Sequence, residues 1–345
     1  MTAPLLDLRS VEVHFPRTSA FLHRTVGHVH AVDGVDLSIQ AAETVGLVGE
    51  SGSGKSTLGR VALGLLAPTA GSVLVDGVPL STAARDRLAV RSKLQFVFQD
   101  PYSSLDPFTP VGESVAEPLR THKVVSGAAA RRARVAELLE QVGLRPAIAG
   151  RYPREFSGGQ LQRIAIARAL ALEPELIVLD EPVSALDVST QAEVVNLLTD
   201  LQASTGVAYL FIAHDLAVVD HLSTRVAVMY LGRIVEEGET RAVIDRPKHP
   251  YTRALLSAVP GQVDRDRIVL GGDLPSPSQR IPGCRFHTRC PFVMDVCREV
   301  EPPWFEAADG SAAACHLHTT GPQLAGRSVA ELPVESPVHP SGSPA

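Results

Sequence analysis

The stretch Gly49-Glu-Ser-Gly-Ser-Gly-Lys-Ser-Thr57 decides the fold of this chain. It fits the pattern G-x-x-x-x-G-K-[ST], and it lies between an apolar stretch at 44–48 and an apolar helical run. Glycines let the backbone curl, so that its N–H groups and the N-terminus of the following helix face an anion. The stretch therefore predicts a loop that binds the phosphates of a nucleotide.

Three side chains at the end of this loop have separate predicted roles. Lys55 would neutralise the β- and γ-phosphates, Ser56 would ligate Mg²⁺, and Thr57 would hydrogen-bond a phosphate oxygen. The predicted ATP-binding residues of the loop are Gly49, Glu50, Ser51, Gly52, Ser53, Gly54, Lys55, Ser56 and Thr57.

Two carboxylates are predicted to contribute to the same site, at the end of the apolar run Leu176-Ile-Val-Leu-Asp180. Such a run is typical of a strand buried on both faces, and ligands bind at the carboxyl ends of strands in open sheets. Asp180 would orient Mg²⁺ through its waters. Glu181 can reach past the metal to the attacking water as a general base.

The segment Phe156-Ser-Gly-Gly-Gln160 precedes a predicted helix. Its serine hydroxyl and glycine N–H groups would lie at a positive helix end, which favours an anion. Two phosphate-binding helix ends in one sheet-based domain cannot easily converge on one nucleotide. We therefore expect this segment to serve the ATP of another molecule.

The remaining pattern predicts an α/β sandwich with a largely parallel sheet, because buried strands alternate with helices. Predicted strands are 11–15, 35–39, 44–48, 176–179, 207–212, 225–230 and 233–236, and predicted helices are 128–142, 161–172 and 191–202. Between the first two strands, residues 16–30 are too many for a hairpin turn, and we expect an excursion before the next strand. Residues 100–155 are predicted to be helical.

These motifs together resemble those of ABC transporter ATP-binding subunits, across residues 5–240. The segment from Phe156 resembles the ABC signature, and Ser184-Ala-Leu-Asp187 resembles the D-loop. The resemblance implies a P-loop fold with a RecA-like core, an antiparallel β part and a helical subdomain. It also implies a dimer in which Ser157, Gly158, Gly159, Gln160 and Asp187 of one subunit complete the ATP site of the other.

The same resemblance assigns three further residues. Gln99 would be the Q-loop residue that joins Mg²⁺ and water to a transmembrane partner, so that the magnesium ligands become Ser56, Gln99 and Asp180. His214 would be the switch histidine on the γ-phosphate. Phe15 would stack on adenine, at a position that is usually tyrosine in the family. The implied catalytic residues are Lys55, Gln99, Glu181 and His214.

The composition changes after about residue 240, where prolines interrupt a stretch of weak periodicity. Lys248-His-Pro-Tyr-Thr252 and the segment 282–316 resemble the C-terminal region of oligopeptide and dipeptide importer ATPases. This resemblance narrows the cargo to peptides, or to nickel and related small solutes. We predict a nucleotide-binding domain at 1–240, with its helical subdomain at about 100–155, a C-terminal region at 241–320 and a disordered tail at 321–345.

All four cysteines fall in this C-terminal region, with the spacing Cys284-x5-Cys290-x6-Cys297-x17-Cys315. Nothing indicates the oxidising compartment that disulfides need, and the C-x2-C pairs of zinc ribbons are absent. Iron–sulfur clusters also take four thiolates. Resemblance to the importer subfamily implies a [4Fe–4S] cluster; zinc and free thiols are the alternatives.

Charge and hydropathy exclude other classes of function. A net charge of −6 provides no general basic surface for nucleic acid. No apolar run of about 18 residues predicts a membrane span, and no export signal is visible. The resemblance implies two permease subunits, an extracellular substrate-binding protein and a second, related ATPase as partners, at the cytoplasmic face of the membrane. A soluble ABC ATPase acting on ribosomes or DNA is the main alternative.

Overall fold

The computed structural model describes residues 3–18, 25–80, 90–258, 268, 270–271, 275–276, 278–321 and 324–332. Its strands form two sheets. The smaller sheet has the order β2-β1-β4-β5 and is antiparallel. Its strands are β1 (Leu6–Thr18), β2 (Thr25–Ile39), β4 (Ala70–Val75) and β5 (Val78–Pro79).

The larger sheet has the order β11-β12-β10-β9-β3-β8-β7-β6. Strands β9, β3, β8, β7 and β6 are parallel, and β10, β12 and β11 extend the sheet in antiparallel fashion. The bounds are β3 (Thr44–Val48), β6 (Leu94–Val97), β7 (Leu176–Asp180), β8 (Ala208–Ala213), β9 (Arg225–Tyr230), β10 (Arg233–Glu239), β11 (Trp304–Glu306) and β12 (Ala312–Ala314).

Helices cover both faces of the larger sheet. They include α1 (Lys55–Ala62), α2 (Pro101–Ser104), α3 (Val111–Thr121), α4 (Ala128–Gln141), α5 (Gly158–Leu170), α6 (Val188–Thr205), α7 (Leu216–Leu222), α8 (Thr240–Asp245), α9 (Pro250–Ser257) and α10 (Val296–Glu299). The predicted helical region at 100–155 contains α2, α3 and α4, followed by 3₁₀ turns at Pro146–Gly150 and Pro153–Glu155. None of the described helices is long and apolar enough to cross a membrane.

Successive side chains of the parallel strands enter two different cores. On β7, Leu176 and Val178 join the core that contains α1 and the smaller sheet. Ile177 and Leu179 join the core that contains the helical region. Because both faces of these strands are covered, every residue of β3, β7 and β8 is buried, as expected for parallel strands. This burial explains why these segments appear as continuous apolar runs in the sequence.

The predicted excursion at 16–30 is wrong. β1 and β2 pair as a long hairpin, with Pro16 opposite His28 and Thr18 opposite Thr25. Apart from residues 19–24, which lie outside the described residues, this segment extends both strands. Period-two alternation is weak here, and the pairing is interrupted by register shifts, so the hairpin is not evident from the sequence.

The C-terminal region packs onto the nucleotide-binding part. β12 pairs with β10, and β11 pairs with β12, so this region adds two strands to the larger sheet. Residues 324–332, within the tail predicted to be disordered, are ordered against it. Val329 is fully buried, its N–H donates to Pro247 O at 2.9 Å, and Arg253 donates to its carbonyl at 2.7 Å. Residues 333–345 lie outside the described part.

Candidate active site

The phosphate loop joins the end of β3 to the start of α1. Gly54 has φ = 107°, and a Cβ atom built on it would lie 2.0 Å from the backbone oxygen of Ala31. A Cβ atom on Gly49 would lie 2.1 Å from Met229 O. The backbone is therefore held between β2 and the end of β9 so closely that only glycine fits at these two positions.

Lys55 is buried at the first turn of α1. Its Nζ donates to Gly49 O at 2.7 Å and to Glu50 O at 3.0 Å. Burial lowers the pKa of the ammonium group, and the nearby carboxylates of Glu181, Asp180 and Glu50 oppose that shift. A bound phosphate chain would favour the charged form further, so the loop holds a cation ready for an anion.

Ser56 and Asp180 meet at the end of β7. Ser56 Oγ donates to Asp180 Oδ1 at 2.8 Å. Burial raises the pKa of Asp180, whereas the hydrogen bond from Ser56 lowers it. A divalent cation between these two oxygens would stabilise the carboxylate form, and oxygen ligands of this kind suit Mg²⁺.

Gln99, Glu181 and His214 come together just beyond the ends of β6, β7 and β8. Gln99 Nε2 donates to Glu181 Oε2 at 2.9 Å, and His214 Nδ1 lies 3.6 Å from the same oxygen. The three strands are parallel neighbours, so their carboxyl ends lie at one edge of the sheet. Glu181 itself has φ = 46°, an uncommon conformation for a residue with a side chain, and such conformations concentrate at functional sites.

The residues predicted to act on a second subunit's ATP pack against each other. Ser157 caps α5, where its hydroxyl accepts from Gln160 N and the Gln160 side chain accepts from Ser157 N. A Cβ atom on Gly159 would lie 2.3 Å from Thr190 Cγ2. Asp187 caps α6, and hydrogen bonds from Ser189 and Thr190 hold its pKa well below the usual range.

Phe15 lies on β1 opposite Val29, and 41% of it is exposed. Part of this residue is therefore exposed to solvent. The structure places β2 against the phosphate loop at Ala31, two residues beyond Val29.

Comparison with known proteins identifies the family. A family model described as ABC transporter matches residues 32–184. Oligopeptide transport ATP-binding protein AppF of Bacillus subtilis is 51% identical over 322 residues, which cover 91% of this chain and 98% of that protein. This chain belongs to the ABC transporter ATP-binding proteins. Their activity is ATP hydrolysis that powers transport, so the chain is an ATPase, and the predicted family is confirmed.

Other relatives agree with this assignment. The probable peptide ABC transporter ATP-binding protein y4tS of Sinorhizobium fredii is 46% identical and covers 99% of both chains. The glutathione import ATP-binding protein GsiA of Escherichia coli is 53% identical over 79% of this chain and 44% of its own length. A second family model, the C-terminal region of oligopeptide/dipeptide transporters, matches residues 235–297.

Solved structures confirm the predicted ABC ATPase fold. The dimeric cassette MJ0796 bound to ADP and Pi is 31% identical, with a TM-score of 0.61, over 68% of this chain and 99% of that one. The cbiO1 subunit of Clostridium perfringens is 27% identical, with a TM-score of 0.60, over 70% of this chain and 91% of that one.

The four cysteines of this ABC ATPase converge in the C-terminal region. Cys284 N donates to Cys297 O at 2.9 Å, and all four are unpaired thiols. Burial raises the pKa of Cys284 to about 11 and that of Cys290 to about 12, and it also raises the pKa of Cys315; at least one neighbouring cysteine adds to each shift. The four thiols are therefore within electrostatic range of one another.

Their spacing is wider than a zinc site needs. Four sulfurs around zinc at 2.3 Å lie about 3.8 Å apart. No three of these sulfurs, all in the described part of the chain, lie within 4.8 Å of one another. The nearby histidines use ring nitrogens on backbone carbonyls: His287 with Cys284, His316 with Val300 and His318 with Lys248.

Two residues that contact the phosphate loop were not predicted. Tyr251 and Arg289 of the C-terminal region both bind Glu50. Each lies within a segment singled out by the sequence, Tyr251 in Lys248–Thr252 and Arg289 beside Cys290. No signal in either segment, however, indicates a contact with a loop more than 200 residues earlier.

Proposed function

We propose that this chain is the ATPase subunit of an ABC importer for oligopeptides or dipeptides. The observation that carries the proposal is the match of residues 235–297 to the C-terminal region of oligopeptide/dipeptide transporters, in a chain that aligns with AppF over nearly its whole length. Nickel or another small solute is the alternative cargo. A soluble ABC ATPase without a transport partner is the alternative class of protein.

In the proposed hydrolysis, each side chain at the sheet edge has one task. Ser56, Asp180 and Gln99 would hold Mg²⁺, and Lys55 would neutralise the phosphates. Glu181 would take a proton from the attacking water, while His214 would contact the γ-phosphate. Support comes from the hydrogen bond between Gln99 and Glu181 and from the proximity of His214 to the same oxygen.

Two subunits would share each ATP, in the arrangement implied by the ABC signature. Residues 157–160 and 186–190 contact each other, so both segments would move to the partner's nucleotide as one surface. The partner proposed is a related ATPase rather than an identical copy. ATP binding would close the pair, and hydrolysis would reopen it.

Two permease subunits would dock on the helical region, placing the chain at the cytoplasmic face of the membrane. Phe108 is 82% exposed and Tyr102 is 55% exposed, although large apolar side chains of this kind are usually covered. A cavity of about 400 Å³ is lined in part by residues of this helical region. Its lining includes Phe96, Phe98, Pro118, His122 and Arg168. An extracellular binding protein would deliver the peptide.

A [4Fe–4S] cluster held by Cys284, Cys290, Cys297 and Cys315 is proposed as a further cofactor. The four thiols, two of them buried and two partly buried, fit such a group because they cluster, leave no spare cysteine and stand wider apart than zinc ligands. The cluster would supply a covalent link between the segment 284–297 and Cys315, which directly follows β12, and a redox centre. Iron and acid-labile sulfide per anaerobically purified chain test this proposal; one zinc per chain without sulfide contradicts it.

Transport is tested with the chain purified together with its membrane partners in lipid nanodiscs. Peptide-loaded binding protein should stimulate ATP hydrolysis, whereas empty binding protein and NiCl₂ should not. Stimulation by nickel alone would overturn the peptide cargo. Recovery of the chain with ribosomes and without any membrane protein would overturn the transport function.

A further inference from the structure

Glu50 introduces a negative charge into a loop that binds a polyanion. It follows Gly49 directly and begins the turn that leads to Lys55. A carboxylate at this place would repel a bound triphosphate unless its charge were compensated. The compensation comes from the C-terminal region, which lies more than 200 residues further along the chain.

Arg289 forms a two-pronged ion pair with Glu50. Arg289 Nη1 lies 2.8 Å from Glu50 Oε2, and Nη2 lies 3.2 Å from Oε1. The Arg289 side chain is 9% exposed and that of Glu50 is 27% exposed. The pair is therefore only weakly screened by solvent, and its planar geometry fixes the direction of the carboxylate as well as its charge.

Tyr251 holds the backbone of the same residue. Glu50 N donates to Tyr251 Oη at 2.7 Å. The Tyr251 ring is fully buried and packs against Tyr230 and Phe286, with ring centroids 4.7 and 5.5 Å away. A hydroxyl on so rigid a ring gives the Glu50 N–H a fixed position.

The restraint on Glu50 extends to the catalytic lysine. The carbonyl of Glu50 accepts from Lys55 Nζ at 3.0 Å and from Ser53 N at 3.2 Å. The peptide groups on both sides of the Glu50 Cα are thus engaged, one by Tyr251 and the other by Lys55. A shift of Glu50 would therefore move the carbonyl oxygen that holds the Lys55 ammonium group, which is the group expected to bind the phosphates.

We propose that Arg289 and Tyr251 are positioning residues of the phosphate loop, through which the C-terminal region sets the ATP affinity of the site. Arg289 cancels the Glu50 charge and directs the side chain, and Tyr251 fixes the backbone. The proposal rests on the ATP-binding activity of the family and is independent of the cargo. Its test needs only the isolated full-length chain, so a wrong cargo assignment would leave the result unaffected.

The first test compares ATP affinity in Arg289→Gln and in the double variant Glu50→Gln/Arg289→Gln. Fluorescence titration with a trinitrophenyl ATP analogue, in competition with ATP, gives Kd, and thermal unfolding monitors folding. Arg289→Gln should raise Kd about tenfold, because the Glu50 charge then faces the triphosphate. The double variant should return to within about threefold of the wild type, because the uncompensated charge is gone.

The double variant separates compensation of the Glu50 charge from the ion pair itself. It lacks the ion pair as fully as Arg289→Gln does, so a role that depends on the bridge alone predicts no recovery of ATP affinity, and thermal unfolding of each variant reports any loss of stability. Arg298→Gln is the matched control. Arg298 is adjacent in sequence to Cys297, as Arg289 is to Cys290, but Arg298 is exposed. Its Kd should equal that of the wild type. A Kd for Arg289→Gln within twofold of the wild type, or a double variant as weak as the single one, would overturn the role of Arg289.

Tyr251→Phe tests the backbone contact. The ring stays in its aromatic cluster, and only the hydroxyl that accepts from Glu50 N is lost. We expect Kd to rise at least threefold, with an unchanged unfolding temperature. An unchanged Kd would overturn the role of Tyr251.

Discussion

Replacing Glu181 by glutamine removes the proposed general base and leaves the shape of the site intact. Glutamine has the same length, and its oxygen can still accept the hydrogen bond that Gln99 Nε2 donates at 2.9 Å. The left-handed backbone at this position is equally accessible to both residues. The variant should therefore bind ATP normally and lose only proton abstraction. Removal of a general base lowers rates by about 10²–10⁴, which corresponds to about 3–5 kcal/mol in activation free energy.

Phosphate release from Mg·ATP measures this loss, and titration with an ATP analogue checks binding. Glu175→Gln is the matched control, because Glu175 immediately precedes β7 at its opposite end and pairs with Lys93 at 2.9 Å on the surface. Such an exposed ion pair contributes about 0–1 kcal/mol to stability, and its loss should not change the rate. Hydrolysis by Glu181→Gln at more than about a third of the wild-type rate would refute the assignment of the base.

Three further outcomes are expected. Gly54→Ala should abolish measurable ATP binding in a titration, because its Cβ atom would lie 2.0 Å from Ala31 O. Gly159→Ala should retain ATP binding but reduce hydrolysis at least tenfold, because its Cβ atom would lie 2.3 Å from Thr190 Cγ2 and would displace the surface offered to the partner. Adding Thr190→Ser removes that methyl group and should restore part of the rate. Glu236 is fully buried and accepts from Lys248 N and His249 N, and burial raises its pKa to about 7. The neutral form of Glu236 contributes most to stability below pH 4.5, and this contribution should disappear as the pH rises through about 7. The free energy of unfolding of the wild type, measured in urea, should therefore fall by about 3 kcal/mol relative to that of Glu236→Gln between these limits.

The nucleotide site could be predicted because its parts are encoded locally. A glycine-rich loop after an apolar strand, and carboxylates directly after another, need only their own neighbours in the chain to take up their positions. The parallel sheet then brings Gln99, Glu181 and His214 together, since each follows an adjacent strand. The alternation of strand and helix predicted β3, β7, β8 and β9 of that sheet, but β6, which precedes Gln99, was not among the predicted strands, and Gln99 and His214 were assigned from the resemblance to the family.

Other features depend on pairs of segments that carry no local signal. The hairpin extension around 16–30 is irregular in pattern and exists because β1 and β2 pair across their register shifts. Residues 324–332 show no clear apolar period, and they are ordered because Leu324 and Val329 enter a small core formed with residues far away in the chain.

The sequence by itself determined the chemistry of this ATPase: a phosphate loop, two carboxylates at a strand end and four clustered cysteines. Only the tertiary structure decided that the C-terminal region joins the larger sheet and binds Glu50 through Arg289 and Tyr251. The physical reason is distance along the chain. Local patterns specify the type of an element and the backbone of a turn, whereas a contact across 239 residues arises from how separately folded surfaces fit together.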